Sequence, residues 1–172
     1  WIAPILSFTA EEIYLHKKET KLKSIFLEKW IDEEFNLNKE ESEICTLLFE
    51  LRNDVSKDLE ALRNSGKIGS PLDATLEISA DAELLKKLKN FSEELKFIFI
   101  TSSCSLNELK NDTESKKVFD YNYSINVEKN LNQKCERCWP KNESVGTIKN
   151  HESLCSRCYE NIEGQGESRQ LA

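Results

Sequence analysis

Between Glu40 and Asn64 the apolar residues recur at steps of three and four, which places them on one face of a helix. They are Ile44, Leu47, Leu48, Leu51, Val55, Leu59 and Leu62. The pattern predicts a long helix with one buried face. Gly66 follows the last turn and suits the left-handed conformation that often ends a helix.

After Pro71 the period changes to two, as in a half-buried strand. The alternating apolar residues are Leu72, Ala74, Leu76 and Ile78. Later segments predict a helix over 82–91, a strand over 95–100 and another strand over 121–127. The polar stretch 107–117 predicts a loop or a weak helix. We therefore expect a small three-stranded α/β unit in the middle of the chain.

The residues ahead of the long helix give weaker signals. Thr9 followed by Glu12 has the pattern of a capping box and predicts a short helix through Tyr14. The segment 24–30 is apolar without a clean period. It predicts a connection that buries Phe26 and Trp30.

Four of the six cysteines form two C-x2-C pairs separated by sixteen residues: Cys135, Cys138, Cys155 and Cys158. Two such pairs complete the tetrahedral thiolate shell of a structural zinc site, which leaves no open position for catalysis. Two disulfides are an alternative that a reducing compartment disfavours, and thiolates also accept iron. Few apolar residues lie between Asn130 and Gly166. The bound metal is therefore expected to supply much of the folding free energy of this region.

The 24 basic and 31 acidic residues give a net charge of -7, which argues against a broadly basic nucleic-acid-binding protein. Residues 1–127 carry 17 basic and 24 acidic residues, however, whereas residues 128–172 carry seven of each. The chain is therefore acidic only in its first three quarters. Any contact with a nucleic acid is expected to be local.

Cationic and aromatic residues flank the cysteines: Lys134, Arg137, Trp139, Lys141 and Arg157. Arginine pairs with phosphates and base edges, and tryptophan stacks on an unpaired base. These residues predict a local nucleic-acid contact. The alternative is that the cations offset the charge of a zinc ion with four thiolates, while Trp139 covers the sulfurs.

Other features narrow the possible functions. No apolar run is long enough to span a bilayer, so we expect a cytoplasmic protein without a membrane partner. The chain contains no Met and begins at Trp1, so we expect a longer parent protein. There is no Gly-rich phosphate loop. We expect His16 and His151 to lie on the surface, and Cys45 and Cys104 to be inert buried thiols.

Four stretches carry a resemblance to a known family. Residues 1–14 end in Thr-Ala-Glu-Glu-Ile-Tyr, with Tyr14 where the family usually has Trp, and Leu51-Arg52, Val55 and Leu59-Glu60 follow in the long helix. Residues 67–74 read Lys-Ile-Gly-Ser-Pro-Leu-Asp-Ala, with Asp73 in place of Glu. The last stretch is Cys-Glu-Arg-Cys-Trp at 135–139 with Cys-Ser-Arg-Cys at 155–158. Together they resemble the C-terminal end of bacterial-type isoleucyl-tRNA synthetases, which are class I aminoacyl-tRNA synthetases. Their zinc finger is shared with formamidopyrimidine-DNA glycosylases.

The resemblance implies a mixed fold in four parts. Residues 1–66 would be the C-terminal part of the helical anticodon-binding domain, 67–129 a small α/β subdomain, 130–166 the zinc finger and 167–172 a flexible tail. The four cysteines would bind one Zn²⁺. Arg137 and Trp139 would be the best candidates to contact the anticodon region of the isoleucine tRNA.

The parent enzyme would attach isoleucine to its tRNA. It would use ATP and Mg²⁺ in a catalytic domain whose His-Ile-Gly-His and Lys-Met-Ser-Lys-Ser motifs this chain lacks. A monomer is expected, with this chain joined to the rest of the synthetase. Two alternatives stay open: a DNA-binding finger of a repair glycosylase, and a protein-interaction module braced by zinc.

Overall fold

The structure, a computed structural model, describes residues 1–17, 22–30, 37–110 and 114–167. It divides the chain into two compact units, 1–37 and 38–172. Within the described residues, no helix has both the length and the apolar character needed to cross a membrane.

The first unit contains helix α1 (Ser7–Leu15) and one 3-10 turn (Ile25–Leu27). The predicted short helix is present, but its capping box is wrong, because the helix begins at Ser7 and Thr9 lies inside it. Glu11 instead joins the helix to the turn, since its carboxylate accepts from the hydroxyl of Ser24 and from the amide of Ile25, both at 3.0 Å.

The prediction that the segment 24–30 buries two aromatic rings is also wrong. Phe26 is 57% exposed and Trp30 is 69% exposed. Only Ala10 and Tyr14 are buried in α1. Among the described residues of this unit, one short helix and one turn offer too few apolar partners to cover these rings.

The second unit begins with helix α2 (Lys39–Asn64), as the apolar period predicted. The helix has a capping box that sequence analysis missed: the Asn38 side chain accepts from the Glu41 amide, and the Glu41 carboxylate accepts from the Asn38 amide, both at 2.9 Å. Gly66 follows the helix with φ +73°, so the predicted left-handed cap is confirmed.

The remaining elements are strands β1 (Ala74–Ala80), β2 (Ser103–Glu108), β3 (Lys116–Val118) and β4 (Tyr121–Lys129) with helices α3 (Ala82–Lys89), α4 (Leu95–Ile98) and α5 (Ser156–Glu163). The sheet has the order β2-β1-β4-β3, in which β1 pairs parallel to β2 and antiparallel to β4. The predicted mixed α/β unit is confirmed, but it has four strands and not three.

Residues 95–100, predicted as a strand, form α4 and the turn that follows it. Ile100, at φ +57°, lies in this turn. The strand in this part of the chain is β2, which begins a few residues later and is largely polar. It forms one edge of the sheet and pairs with β1, with Leu76 opposite Cys104. The stretch 107–117, predicted as a loop or a weak helix, includes the end of β2 and the start of β3.

One apolar cluster holds the sheet and its helices together. The buried residues of β1 are Ala74, Leu76, Ile78 and Ala80, and both α2 and α3 pack against the cluster they form. Helix α2 therefore shares its core with the sheet, and the boundary between compact units lies at 37/38. The division at 66, 129 and 166 stays a prediction, and its tail at 168–172 lies outside the described residues.

The hydroxyl of Tyr123 in β4 donates to Asp54 in α2. Hydrogen bonds from Lys57, at 2.8 Å, and from Tyr123 hold the pKa of Asp54 below its usual value of 3.8. A lowered pKa means that this stabilisation is complete above about pH 4 and is lost as the pH falls through the folded-state pKa.

We therefore expect Tyr123→Phe to lower the free energy of unfolding by roughly 1 kcal/mol at pH 7, with a smaller difference at pH 3. Urea unfolding of both proteins at the two pH values measures this. An equal difference at both would show that the Asp54 carboxylate is not the partner that matters.

Candidate metal centre

The four predicted cysteines converge on one point. Their sulfur atoms all lie within 4.8 Å of one another. Cys135, Cys155 and Cys158 are buried and Cys138 is half-buried. Cys155 caps the N-terminus of α5 and Cys158 lies in its first turn, so the helix carries one pair. The other pair lies in a turn closed by the Trp139 amide, which donates to the Cys135 carbonyl at 2.9 Å.

The spacing of the sulfurs fits a four-coordinate metal. A tetrahedral Zn–S₄ centre with bonds of about 2.3 Å has sulfurs about 3.8 Å apart. The sulfurs of Cys138 and Cys155 are 3.6 Å apart, and all six cysteines are free thiols, so the disulfide alternative is not what the structure contains. The donor set is therefore that of a closed structural metal site.

The pKa values of the cysteine thiols also favour binding of a cation. Burial raises the pKa of Cys135, but backbone amides of Cys138, Cys155 and Arg137 outweigh it and lower the pKa to about 6. Burial raises the pKa of Cys138 and of Cys155. The sulfur of Cys135 is thus stabilised as a thiolate by the protein, whereas Cys138 and Cys155 lose their protons more readily when a metal ion is bound.

Two arginines lie against the sulfurs. The Nη1 atom of Arg137 is 3.6 Å from the sulfur of Cys158. Burial lowers the pKa of Arg157, but the neighbouring Cys138 sulfur and the Glu167 carboxylate outweigh it and raise the pKa above its usual value. Arg157 also lies over the ring of Phe97, 5.1 Å from its centroid, and contacts Glu167 at 3.2 Å. Both positions agree with the alternative in which cations offset the charge of the thiolates.

The other three predicted residues divide into two groups. Trp139 is 59% exposed, and the Nζ atom of the exposed Lys134 lies 5.3 Å from its ring centroid. Lys141 is turned towards the sheet: its Nζ atom donates to the Asn130 carbonyl at 3.0 Å and lies 4.0 Å from Asp73. The structure therefore brings Lys134, Arg137 and Trp139 to the exterior of the finger, and Lys141 and Arg157 to its contacts within the unit.

The two histidines and the other two cysteines do not lie together at one site. His16 is exposed, and His151 lies near Tyr159 and Glu163, with 5.3 Å between the two ring centroids. Cys45 and Cys104 are half-buried, not buried. Cys104 lies inside β2, and burial raises its pKa to about 12, so it is an inert thiol as predicted.

Two family models match this chain. Residues 1–78 match an anticodon-binding domain of tRNA ligase, and residues 132–161 match a zinc finger found in FPG and IleRS. The second match encloses the four-cysteine cluster. The chain is therefore similar to an anticodon-binding domain at one end and to this zinc finger near the other.

The curated relatives that match most or all of the chain are isoleucine–tRNA ligases. The chain is 41% identical over 169 residues to the isoleucine–tRNA ligase of Legionella pneumophila (strain Lens), an alignment that covers 98% of this chain and 18% of that protein. It is 41% identical over 177 aligned positions to the isoleucine–tRNA ligase of Coxiella burnetii (strain Dugway 5J108-111), covering 100% and 19%. The Buchnera aphidicola (subsp. Schizaphis graminum) ligase is 38% identical over 146 residues, covering 81% and 15%. The chain is similar to isoleucine–tRNA ligases over most or all of its own length, and it spans less than a fifth of the length of these relatives.

Proposed function

We propose that this chain is the tRNA-binding part of an isoleucine–tRNA ligase and contributes to recognition of the anticodon arm. Its support is one observation: exposed Lys134, Arg137 and Trp139 lie beside a buried four-cysteine centre, in a chain that also matches an anticodon-binding domain. The DNA-repair alternative is not favoured, because the relatives that match the whole chain are ligases.

The complete ligase would couple ATP to the attachment of isoleucine to its tRNA. ATP and Mg²⁺ would bind in a domain outside this chain. Residues 1–66 would complete a helical anticodon-binding domain, 67–129 would form the α/β subdomain and 130–166 the finger. The complete protein would be a cytoplasmic monomer.

In this proposal Cys135, Cys138, Cys155 and Cys158 hold one Zn²⁺. Four thiolates fill a tetrahedral shell, so the ion braces the fold and supplies no reactive position. Arg137 and Arg157 neutralise part of the charge of the centre through their contacts with Cys158 and Cys138. The iron alternative is less favoured, because the matching family model is a zinc finger.

Trp139 is the residue that best supports an RNA contact. Its backbone has φ +75°, a conformation that costs a residue other than glycine about 1–2 kcal/mol. The ring is nevertheless exposed, and Lys134 lies against it. A bulky ring held in a strained backbone at the surface gains nothing from burial. Stacking of this ring on an unpaired base would stabilise an RNA complex by about 1–3 kcal/mol per base.

Trp139→Gly is expected to weaken binding of the isoleucine tRNA by about tenfold to a hundredfold, because it removes the stacking ring. Glycine accepts the left-handed backbone, so the finger stays folded and zinc content is unchanged. Trp139→Phe is the matched control, because it keeps an aromatic face and most of the affinity. Fluorescence titration with a labelled transcript measures both. Binding of Trp139→Gly equal to that of the unmodified chain would favour the protein-interaction role.

Arg137→Gln is expected to reduce the slope of log affinity against log salt concentration by about one, as for the loss of one phosphate contact. The same titration at several salt concentrations measures the slope. A tRNA contact of Lys141 or Arg157 stays a prediction, and their inward contacts do not support it.

A further inference from the structure

Buried polar residues concentrate at one place in the described chain. Thr101, Ser102 and Asn130 are the buried polar residues of the described parts, at 2%, 6% and 6% exposure. They lie at the start of β2 and just after β4, where the sheet meets the finger. Each buried side-chain polar atom in these parts has a hydrogen-bond partner. Burying polar groups costs free energy unless they are hydrogen-bonded. The hydrogen bonds of these residues therefore show how the sheet and the finger are joined.

The hydroxyl of Ser102 joins the finger to the sheet. It accepts a hydrogen bond from the Lys141 amide at 2.6 Å and donates to the carbonyl of Leu72, just ahead of β1. Ser102 is also held by its own backbone, since its amide donates to the Ala74 carbonyl at 3.0 Å. One fixed hydroxyl therefore sets the position of Lys141, two residues after Trp139.

The side chain of Lys141 makes a second connection. Its Nζ atom donates to the Asn130 carbonyl at 3.0 Å, and the Asn130 amide donates to the Asp73 carbonyl at 2.8 Å. The Asn130 side chain in turn donates to the hydroxyl of Thr75 at 3.0 Å. Lys141 therefore ties the finger to the ends of β1 and β4.

Apolar packing does not replace these bonds. The sheet and the finger have separate apolar clusters, and that of the finger consists of its cysteines with Val145 and Leu154. Hydrogen bonds are directional, whereas apolar contacts tolerate sliding. The contact of Arg157 with Phe97 adds to them on the α4 side.

We propose that Ser102 and Lys141 are positioning residues, which hold the finger on the sheet in the orientation that presents Lys134, Arg137 and Trp139 to RNA. This inference rests on the proposed function. It assigns Lys141 an indirect role, acting through the orientation of the finger and not through a phosphate. Losing either bond lowers the fraction of molecules in which the finger is correctly oriented. The apparent affinity for RNA falls in proportion to that fraction.

Ser102→Ala is expected to bind the isoleucine tRNA about tenfold more weakly than the unmodified zinc-loaded chain, the equivalent of one lost hydrogen bond. Zinc content stays at one per chain, and the Lys141 amide exchanges its hydrogen faster. Ser105→Ala is the matched control, because Ser105 is an exposed residue of β2 that takes part in neither connection. Unchanged affinity of Ser102→Ala would overturn the proposal.

Lys141→Met separates positioning from direct contact. It is compared with Lys149→Met, which removes the same charge from an exposed residue of the finger. Positioning predicts a lower affinity for Lys141→Met with the salt slope unchanged. A slope reduced by about one would assign Lys141 to a phosphate and contradict the proposal. If the unmodified chain does not bind the tRNA at all, the proposed function fails, and this inference fails with it.

Discussion

Removal of zinc is expected to unfold residues 131–167 while the sheet and α2 stay folded. The finger has a small apolar cluster made mostly of its own cysteines. Burial of this cluster cannot offset the conformational entropy lost when some forty residues become ordered. Structural zinc supplies about 10–16 kcal/mol of apparent binding free energy in small fingers. The sheet and α2 share a separate cluster that includes no residue of the finger.

Hydrogen exchange with a chelator measures this unfolding. Amides of α5 should lose protection, and those of β1 and β4 should keep it. Cys158→Ser should reproduce the effect, and Cys45→Ser is the matched control, because Cys45 lies in α2 outside the cluster. Continued protection of α5 in chelator would show that the metal does not hold the finger.

Leu51→Ala is expected to lower the free energy of unfolding of the second unit by about 2–5 kcal/mol. Leu51 is fully buried in the cluster that α2 shares with the sheet. Phe49→Ala, two residues away on the same helix, is expected to change stability by less than about 0.5 kcal/mol, because Phe49 is 64% exposed. The contrast tests which face of α2 is buried.

Urea unfolding followed separately by sheet and helix signals also tests where the domain boundary lies. If α2 belongs to the core of the sheet, Leu51→Ala moves both signals to lower urea together. If α2 unfolds alone and the sheet keeps its midpoint, α2 belongs to a separate helical domain, as the predicted boundary at 66 implies.

The elements predicted correctly have strong periods. Helix α2 repeats apolar residues over 26 residues, and in β1 every second residue is buried. In α3, Leu84, Leu85 and Leu88 are all buried, and β4 alternates from Tyr121. In these elements local propensity and burial agree, so the pattern alone identifies them.

The errors fall where the period is short or absent. Residues 95–100 are apolar except for Lys96, and such a short run does not distinguish a strand from a buried helical turn. Strand β2 was missed because only Cys104 and Leu106 of its six residues are apolar, which is too short an alternation to stand out, although both pack against the core. Phe26 and Trp30 were expected to be buried because apolar content does not reveal whether partners are present.

For the site, cysteine spacing predicted which residues converge, because two C-x2-C turns have little freedom in where their sulfurs point. It could not predict which cations face outward. Lys141 lies within the finger, but its side chain bonds the Asn130 carbonyl at the end of the sheet. Nothing in the sequence marks Ser102 as the residue that joins the finger to the sheet. These contacts depend on how strands pair across tens of residues.

The most direct test of tRNA recognition is an equilibrium titration of the zinc-loaded chain with two tRNAs. One is the isoleucine tRNA, and the other is the same tRNA with its anticodon scrambled. We expect the first to bind at least about tenfold more tightly, the size of one lost stacking or base-edge contact. Chelation of zinc should remove the difference. Equal affinity for both tRNAs would contradict anticodon recognition by this chain.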